Sequence, residues 1–316
     1  MKYFVLGMLL AIQLCISCGC EHDMPSPIDL FGSIDSTPPT LVAIKTNDRY
    51  TSLLVFDEAI QEDSLHLSAE GNRIEHMQVN NKTLTFTLKD ALIFGEWLPL
   101  TGRVEDLRGN SVSFSVFLWA ENQNPPKLLI NEFSTKGSES NPDRVELLVL
   151  ERGNIGGITL YAGTEQSYRD RLIFEERWVE RGEYLVVAFS KGDVKEGTYH
   201  AEAQAGLSGN NGCLSLALSP QWDAPLLDAA VWGNHTTQTH EGFGSKELLE
   251  QVAYIHTQLH WNSKKAEESI DSTNSTATRS ISRDHAKDTN SKDDWYVCAT
   301  RGASFGGKNS EDHYQE

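Results

Sequence analysis

Short runs rich in Val, Leu, Thr and Phe recur along most of the chain, and several alternate apolar with polar positions. Between Pro38 and Asn122 the runs are LVAIKTND, SLLVFDEAI, IEHMQVNN, KTLTFTLKD and SVSFSVFLWA, separated by Asn80-Asn81, Asp106 and Gly109-Asn110. From Thr83 to Leu88 the alternation puts Leu84, Phe86 and Leu88 on one face, which is the period of a half-buried strand. Short strands with turn residues between them predict an antiparallel sandwich over residues 38–122.

The pattern resumes after a Pro-rich boundary, Asn122 to Lys127. Predicted strands are Leu128 to Phe133, Arg144 to Leu150, ITLYAG, RLIFEE, EYLVVAFS, GCLSLAL and DAAVWG, with Gly-Asn pairs between several of them. Between Gly244 and Asn274 the strand pattern lapses, and Lys246 to Ile255 carries a helical period, so a short helix is expected there. Thr273 to Thr278 and Asp284 to Asp294 read as loops, and residues 310–316 as a disordered tail. The fold class expected is therefore all-β, with two sandwich domains in tandem, at 38–122 and 126–309.

The N-terminus has a different pattern. Met1-Lys2 is followed by a mostly apolar run from Tyr3 to Leu14, too short for a membrane-spanning helix but of signal-peptide length. The following residues, Leu14-Cys15-Ile16-Ser17-Cys18-Gly19-Cys20, resemble the lipobox of bacterial lipoproteins. The resemblance implies a signal peptide at 1–17, cut before Cys18, with acyl chains on that cysteine holding the protein to a membrane. Cys15 stands where Leu is usual, and Cys20 is the alternative lipidation site. Residues 18–37, rich in Pro, Ser and Asp, read as a flexible tether. The implied location is the bacterial cell envelope, either periplasmic or on the outer-membrane surface.

Two further resemblances concern the domains. Pro38-Pro39, Val55-Phe56-Asp57-Glu58 and Val104-Glu105-Asp106-Leu107-Arg108-Gly109-Asn110 resemble the bacterial Ig-like domains of S-layer and adhesin-type proteins. The second region is similar to the lamin-tail domain, itself an Ig-like module. That similarity rests on Ile130-Asn131-Glu132-Phe133, Asn141-Pro142-Asp143, Val145-Glu146-Leu147, Gly182 to Val187, Leu207 to Leu216, Asp228 to Gly233, Ser280 to Arg283, and Asp288 to Trp295. Its closing motif, Thr300 to Asn309, lacks the family's usual proline. Such domains act as spacers or binding modules.

Charge and candidate chemistry narrow the reading. Lys+Arg is 27 against Asp+Glu 45, a formal net charge of −18, which repels nucleic-acid phosphates, so no nucleic-acid partner is expected. Glu132, Glu146, Arg283 and Trp295 are expected to support the fold. Trp295 would plug the sandwich end, and Arg283 would bond a carboxylate, Glu132 and Glu146 being two candidates, or loop carbonyls. Cys213 and Cys298 are either two buried thiols or a disulfide. A bridge would close a loop of about 85 residues, worth on the order of 4 kcal/mol.

Three metal readings are weak. His256 and His260 have zinc-helix spacing, but Thr257 stands in the place of the catalytic Glu. Asp57, Glu58 and Asp106 could be read as a calcium site, but turn and edge carboxylates are more often solvated loop residues, and Asp284, Asp288, Asp293 and Asp294 lack the glycine and closing glutamate of a calcium loop. No cofactor, metal or enzymatic activity is expected. The functional expectation is a lipid-anchored protein acting by adhesion, scaffolding, or binding of a protein or glycan. The alternative is an accessory subunit or targeting module of an exported hydrolase or nuclease.

Overall fold

The computed structural model describes residues 35–315, so the expected signal peptide, Cys18, Cys20 and most of the tether lie outside the described residues. Among the described residues the fold is all-β, with 42% in strands, 7% helical and one α-helix. Two hydrophobic cores form, one from Leu54 to Ala120 and the other from Leu128 to Trp295.

The first region holds β1 (Leu41–Thr46), β2 (Thr51–Phe56), β3 (His66–Ala69), β4 (Ile74–Asn80), β5 (Thr83–Leu88), β6 (Trp97–Glu105) and β7 (Ser111–Trp119). A four-stranded sheet, β1-β2-β5-β4, and a three-stranded sheet, β3-β6-β7, share the core. Leu54, Phe56, Leu84 and Phe86 come from one sheet, and Leu100, Val104 and Leu118 from the other. The motif ending in Gly109-Asn110 is the hairpin between β6 and β7. There Asp106 Oδ1 accepts the N–H groups of Arg108 and Asn110, both at 2.8 Å, and Gly109 takes φ +91, where a side chain would be strained.

The second region runs through β8 (Lys127–Ser134), β9 (Arg144–Glu151), β10 (Gly153–Asn154), β11 (Thr159–Thr164), β12 (Ser167–Ile173), β13 (Trp178–Val179), β14 (Tyr184–Ala188) and β15 (Tyr199–His200). It continues with β16 (Gly212–Ala217), β17 (Leu226–Gly233), α1 (Lys246–Thr257), β18 (Ile270–Asp271), β19 (Ile281–Arg283) and β20 (Trp295–Val297). The sheets are β15-β14-β9-β8-β19-β20, β12-β11-β16-β17-β18 and the small ribbon β10-β13. Helix α1 runs two residues beyond the sequence expectation. Ser245 Oγ caps it by accepting Leu248 N–H at 3.1 Å, and it buries Leu248, Val252 and Ile255.

β8 explains how the buried polar groups are sorted. Register slips between Ile130 and Glu132, a bulge that lets Ile130 and Phe133 both join the core although they are three residues apart. Glu132, paired with Glu146 across to β9, then faces the other side of the sheet.

The regions touch near Phe94. The Arg49 guanidinium lies 4.9 Å from its ring centroid and reaches Glu176 at 3.5 Å, while a Cβ on Gly156 would come within 2.8 Å of that ring.

Candidate functional site

The charged residues singled out in the second region form two buried groups on opposite faces of the six-stranded sheet. Glu132 and Glu146 lie on the outer face, which is covered by residues 304–309. Ser304 donates its N–H to Glu132 Oε1 at 2.9 Å and its hydroxyl to Oε2 at 2.9 Å, and Ser280 Oγ also donates to Glu132. Glu146 accepts the Asn131 side-chain amide at 2.7 Å and the backbone N–H of Gly306. Asn309 closes the strap by donating to Asn131 O at 3.2 Å and Arg283 O at 2.9 Å. The Arg144 guanidinium stacks over Phe305 at 4.2 Å. Burial raises both carboxyl groups, that of Glu146 to about 7, against the pull of these donors. Both side chains are fully buried and held by the protein's own groups, so neither reaches a substrate as an acid or base.

Arg283 faces the inter-sheet side, and its expected pairing with Glu132 or Glu146 is corrected. Its partners are Asp228, from β17 in the opposing sheet, at 2.8 Å, and Asp288 at 3.3 Å. Glu132 and Glu146 project to the other face of β8 and β9 and are engaged by the strap. Arg283 also donates to Ile130 O at 2.8 Å and to Lys287 O at 3.0 Å. Burial pushes the Asp228 carboxyl up to about 6, opposed by the Arg283 charge and the Ile130 N–H. Trp295 lies 4.4 Å beneath the guanidinium and edge-on to Phe133 at 5.4 Å, closing that end of the core. Asp228 sits inside the sequence motif Asp228 to Gly233, so a buried acid was available to the sequence reading as a partner.

Cys213 and Cys298 are free and buried, which removes the disulfide. Cys213 lies in β16 with its Sγ 3.5 Å from Gln251 Oε1. Cys298 follows β20 in the other sheet, with its Sγ 3.1 Å from Ser280 Oγ. Burial raises both thiols.

The histidine pair does not form a metal helix. His256 Nδ1 contacts Trp261 O at 2.9 Å, and Leu259 at φ +65 ends the helix before His260. The C-terminal acids are also engaged locally, Asp294 by Thr289 N–H at 2.7 Å and Asp288 by Arg283. In the first region Asp57 accepts Thr40 N–H at 2.7 Å, whereas Asp35, Glu58 and Asp106 converge, their nearest oxygens within 4.8 Å of one another. Burial and the neighbouring carboxylates of Asp35 and Asp106 raise the Glu58 carboxyl.

Among the described residues, two features bear most directly on binding. A cavity of about 530 Å³ lies between Gly209–Gly212 and the start of α1, with Trp232 and Phe243 in its lining. The other is aromatic. Trp97 in β6 and Phe117 in β7 are 56% and 51% exposed, their ring centroids 5.2 Å apart and their planes at 32°. Buried Trp119 meets Trp97 edge-on at 6.0 Å and braces it. This pair is not among the residues singled out from the sequence. Its signal was present in β7, where Phe114, Val116 and Leu118 take one face while Phe117 and Trp119 add apolar bulk to the other.

Among the described residues no helix is long and apolar enough to cross a membrane. The model of a family described as TP_1001_2nd, protein second domain, matches residues 126–213 and 199–297, together more than half of the chain. No curated protein matches significantly. Among solved structures, the N-terminal part of the bacterial S-layer protein SbsC superposes with a TM-score of 0.24 and 13% identity. The superposition covers 54% of this chain and 43% of that one, so the chain spans less than half of that protein's length. At that score the likeness carries no argument about fold or role.

Proposed function

The chain belongs to the family described as TP_1001_2nd, protein second domain, and from that premise we propose that it is a non-catalytic binding protein of the bacterial cell envelope. The observation that carries the reading is the contrast between engaged and unengaged groups. The buried acids and Arg283 of the second region bond the chain itself, whereas Trp97 and Phe117 present bare ring surface. Adjacent exposed aromatic rings, held rigid from below, are the side chains that most often anchor a partner. In this reading the second region is the rigid support and the first carries the contact face. The lamin-tail and bacterial Ig-like resemblances support the same division, since such domains serve as spacers and binding modules.

The lipobox-like segment supports lipid anchoring through Cys18, with Cys20 as the alternative, and so a place in the envelope. Metabolic labelling with a radiolabelled fatty acid tests the anchor: incorporation is lost in Cys18→Ala, and label retained in both Cys18→Ala and Cys20→Ala contradicts it. Binding is tested by retention of the full chain on isolated, delipidated envelope fragments. Retention falls in the doubly substituted Trp97→Ala, Phe117→Ala protein. Unchanged retention contradicts the proposed face.

A further inference from the structure

We propose that the outer face of the β3-β6-β7 sheet takes a neutral glycan chain, its sugar rings stacked on Trp97 and Phe117 and its hydroxyls bonded along the strands. This rests on the binding reading above and names the partner class.

The register fixes what the face presents. Trp97 pairs with Trp119, Pro99 with Phe117, Thr101 with Ser115 and Arg103 with Ser113, while on β3 His66 pairs with Arg103 and Ser68 with Thr101. In a strand successive side chains alternate, so these positions share one side of the sheet, and their even-numbered neighbours Leu100, Val104 and Leu118 fill the core. The outer side thus reads as a strip with aromatic rings at one end and the hydroxyls of Thr101, Ser115, Ser113 and Ser68 leading away from them. All four of these hydroxyl-bearing residues are exposed.

Each part suits one half of a sugar's chemistry. The C–H face of a pyranose is apolar and flat, and it packs against an aromatic ring as another apolar plate does. Trp97 and Phe117, tilted by 32°, form a nearly continuous plate, and Trp119 fixes the Trp97 orientation before any ligand arrives. Hydroxyl side chains both donate and accept, which matches the hydroxyls on a sugar's rim.

Charge selects against the other occupants. The strip carries little net charge. Arg103 is held at 3.1 Å by Glu105 and also bonds Ser111 Oγ at 3.1 Å, while exposed Glu70, whose N–H bonds Pro99 O just beyond β3, adds one carboxylate near the ring end that further disfavours an anionic ligand. The whole chain carries −18, so an anionic polymer or a second copy of the chain is repelled at long range while a neutral polymer is not. Two exposed rings also supply far less than the about 800 Å² per partner that a stable dimer buries.

The test uses the full chain on delipidated envelope fragments, either untreated, periodate-oxidised to open the vicinal diols of glycans, or protease-digested. The expected result is retention that survives protease, is lost on periodate, and is about tenfold weaker for Trp97→Ala, Phe117→Ala, the loss expected for removed aromatic stacking. Trp222→Ala, which removes an equally exposed indole from the second region, leaves retention unchanged. Retention lost on protease but kept after periodate overturns the glycan and leaves a protein partner on the same face. Retention equal in wild type and the double variant overturns the glycan proposal and the binding reading together. A thermal melt matching wild type shows that the double variant is folded.

Discussion

The two regions treat their sheet surfaces in opposite ways. In the second, the six-stranded sheet is covered on one face by the opposing sheet, and on the other the strap of residues 304–309 covers the strands around Glu132 and Glu146. The polar groups trapped by that covering, Glu132, Glu146, Asp228 and Arg283, are each bonded within the chain. In the first, the three-stranded sheet is packed on one side only. Its outer side keeps exposed Trp97 and Phe117 next to a row of hydroxyls. A charged residue buried with its partners is thus a mark of construction, and adjacent exposed rings on an open sheet face, unlike the lone exposed ring of Trp222, mark the surface left for something else.

The largest break in that comparison comes from Arg283→Met. It removes the guanidinium that compensates Asp228 between the sheets and leaves an unpaired buried acid. The second region is expected to lose about 3–5 kcal/mol in urea unfolding, while the first unfolds as before. A loss below about 1 kcal/mol would show the pair to be dispensable.

Next in size is the pH dependence of the strap. The folded-state Glu146 carboxyl lies at about 7, above its ordinary 4.5, so the stability it contributes is full below pH 4.5 and is lost as pH rises through 7. The span corresponds to on the order of 3 kcal/mol. Asp228, raised from 3.8 to about 6, adds a loss of the same sign at lower pH. Wild-type stability therefore falls from pH 4.5 to 7, and Glu146→Gln removes most of the fall between pH 6 and 7. An unchanged slope in that variant would mean the carboxyl titrates normally.

Smaller still is the effect of Trp97→Ala on stability, expected to stay within about 0.5 kcal/mol because the side chain is mostly exposed. A loss of several kcal/mol would make the ring part of the fold and not of a contact surface. The smallest signal is a redox null. With Ser in place of Cys15, Cys18 and Cys20, two thiols titrate in denaturant, and the unfolding midpoint is unchanged by reductant. A reductant-sensitive midpoint would restore the bridge between Cys213 and Cys298.

Much of the architecture was legible because alternation speaks directly to burial. Leu84, Phe86 and Leu88 stand in the core as their spacing required. Strand β6 was harder to see, since Pro99 and Gly102 interrupt its pattern, and β3 is only four residues long. The pairing of Arg283 was not legible for a different reason. Spacing along a strand says which residues share a face but not which face each sheet turns inward, and the bulge at Asn131 reverses that alternation within the motif Ile130 to Phe133. The aromatic pair joins residues twenty positions apart in sequence, so only the β6–β7 register brings them together.

The most direct test of this division of labour sets one variant from each region side by side on the same delipidated envelope fragments. Trp97→Ala, Phe117→Ala should lose about nine-tenths of wild-type retention while melting normally. Glu146→Gln should keep full retention while its pH-dependent stability changes. The reverse pattern, retention lost with Glu146→Gln and kept in the aromatic variant, would place the contact surface in the second region and contradict the account.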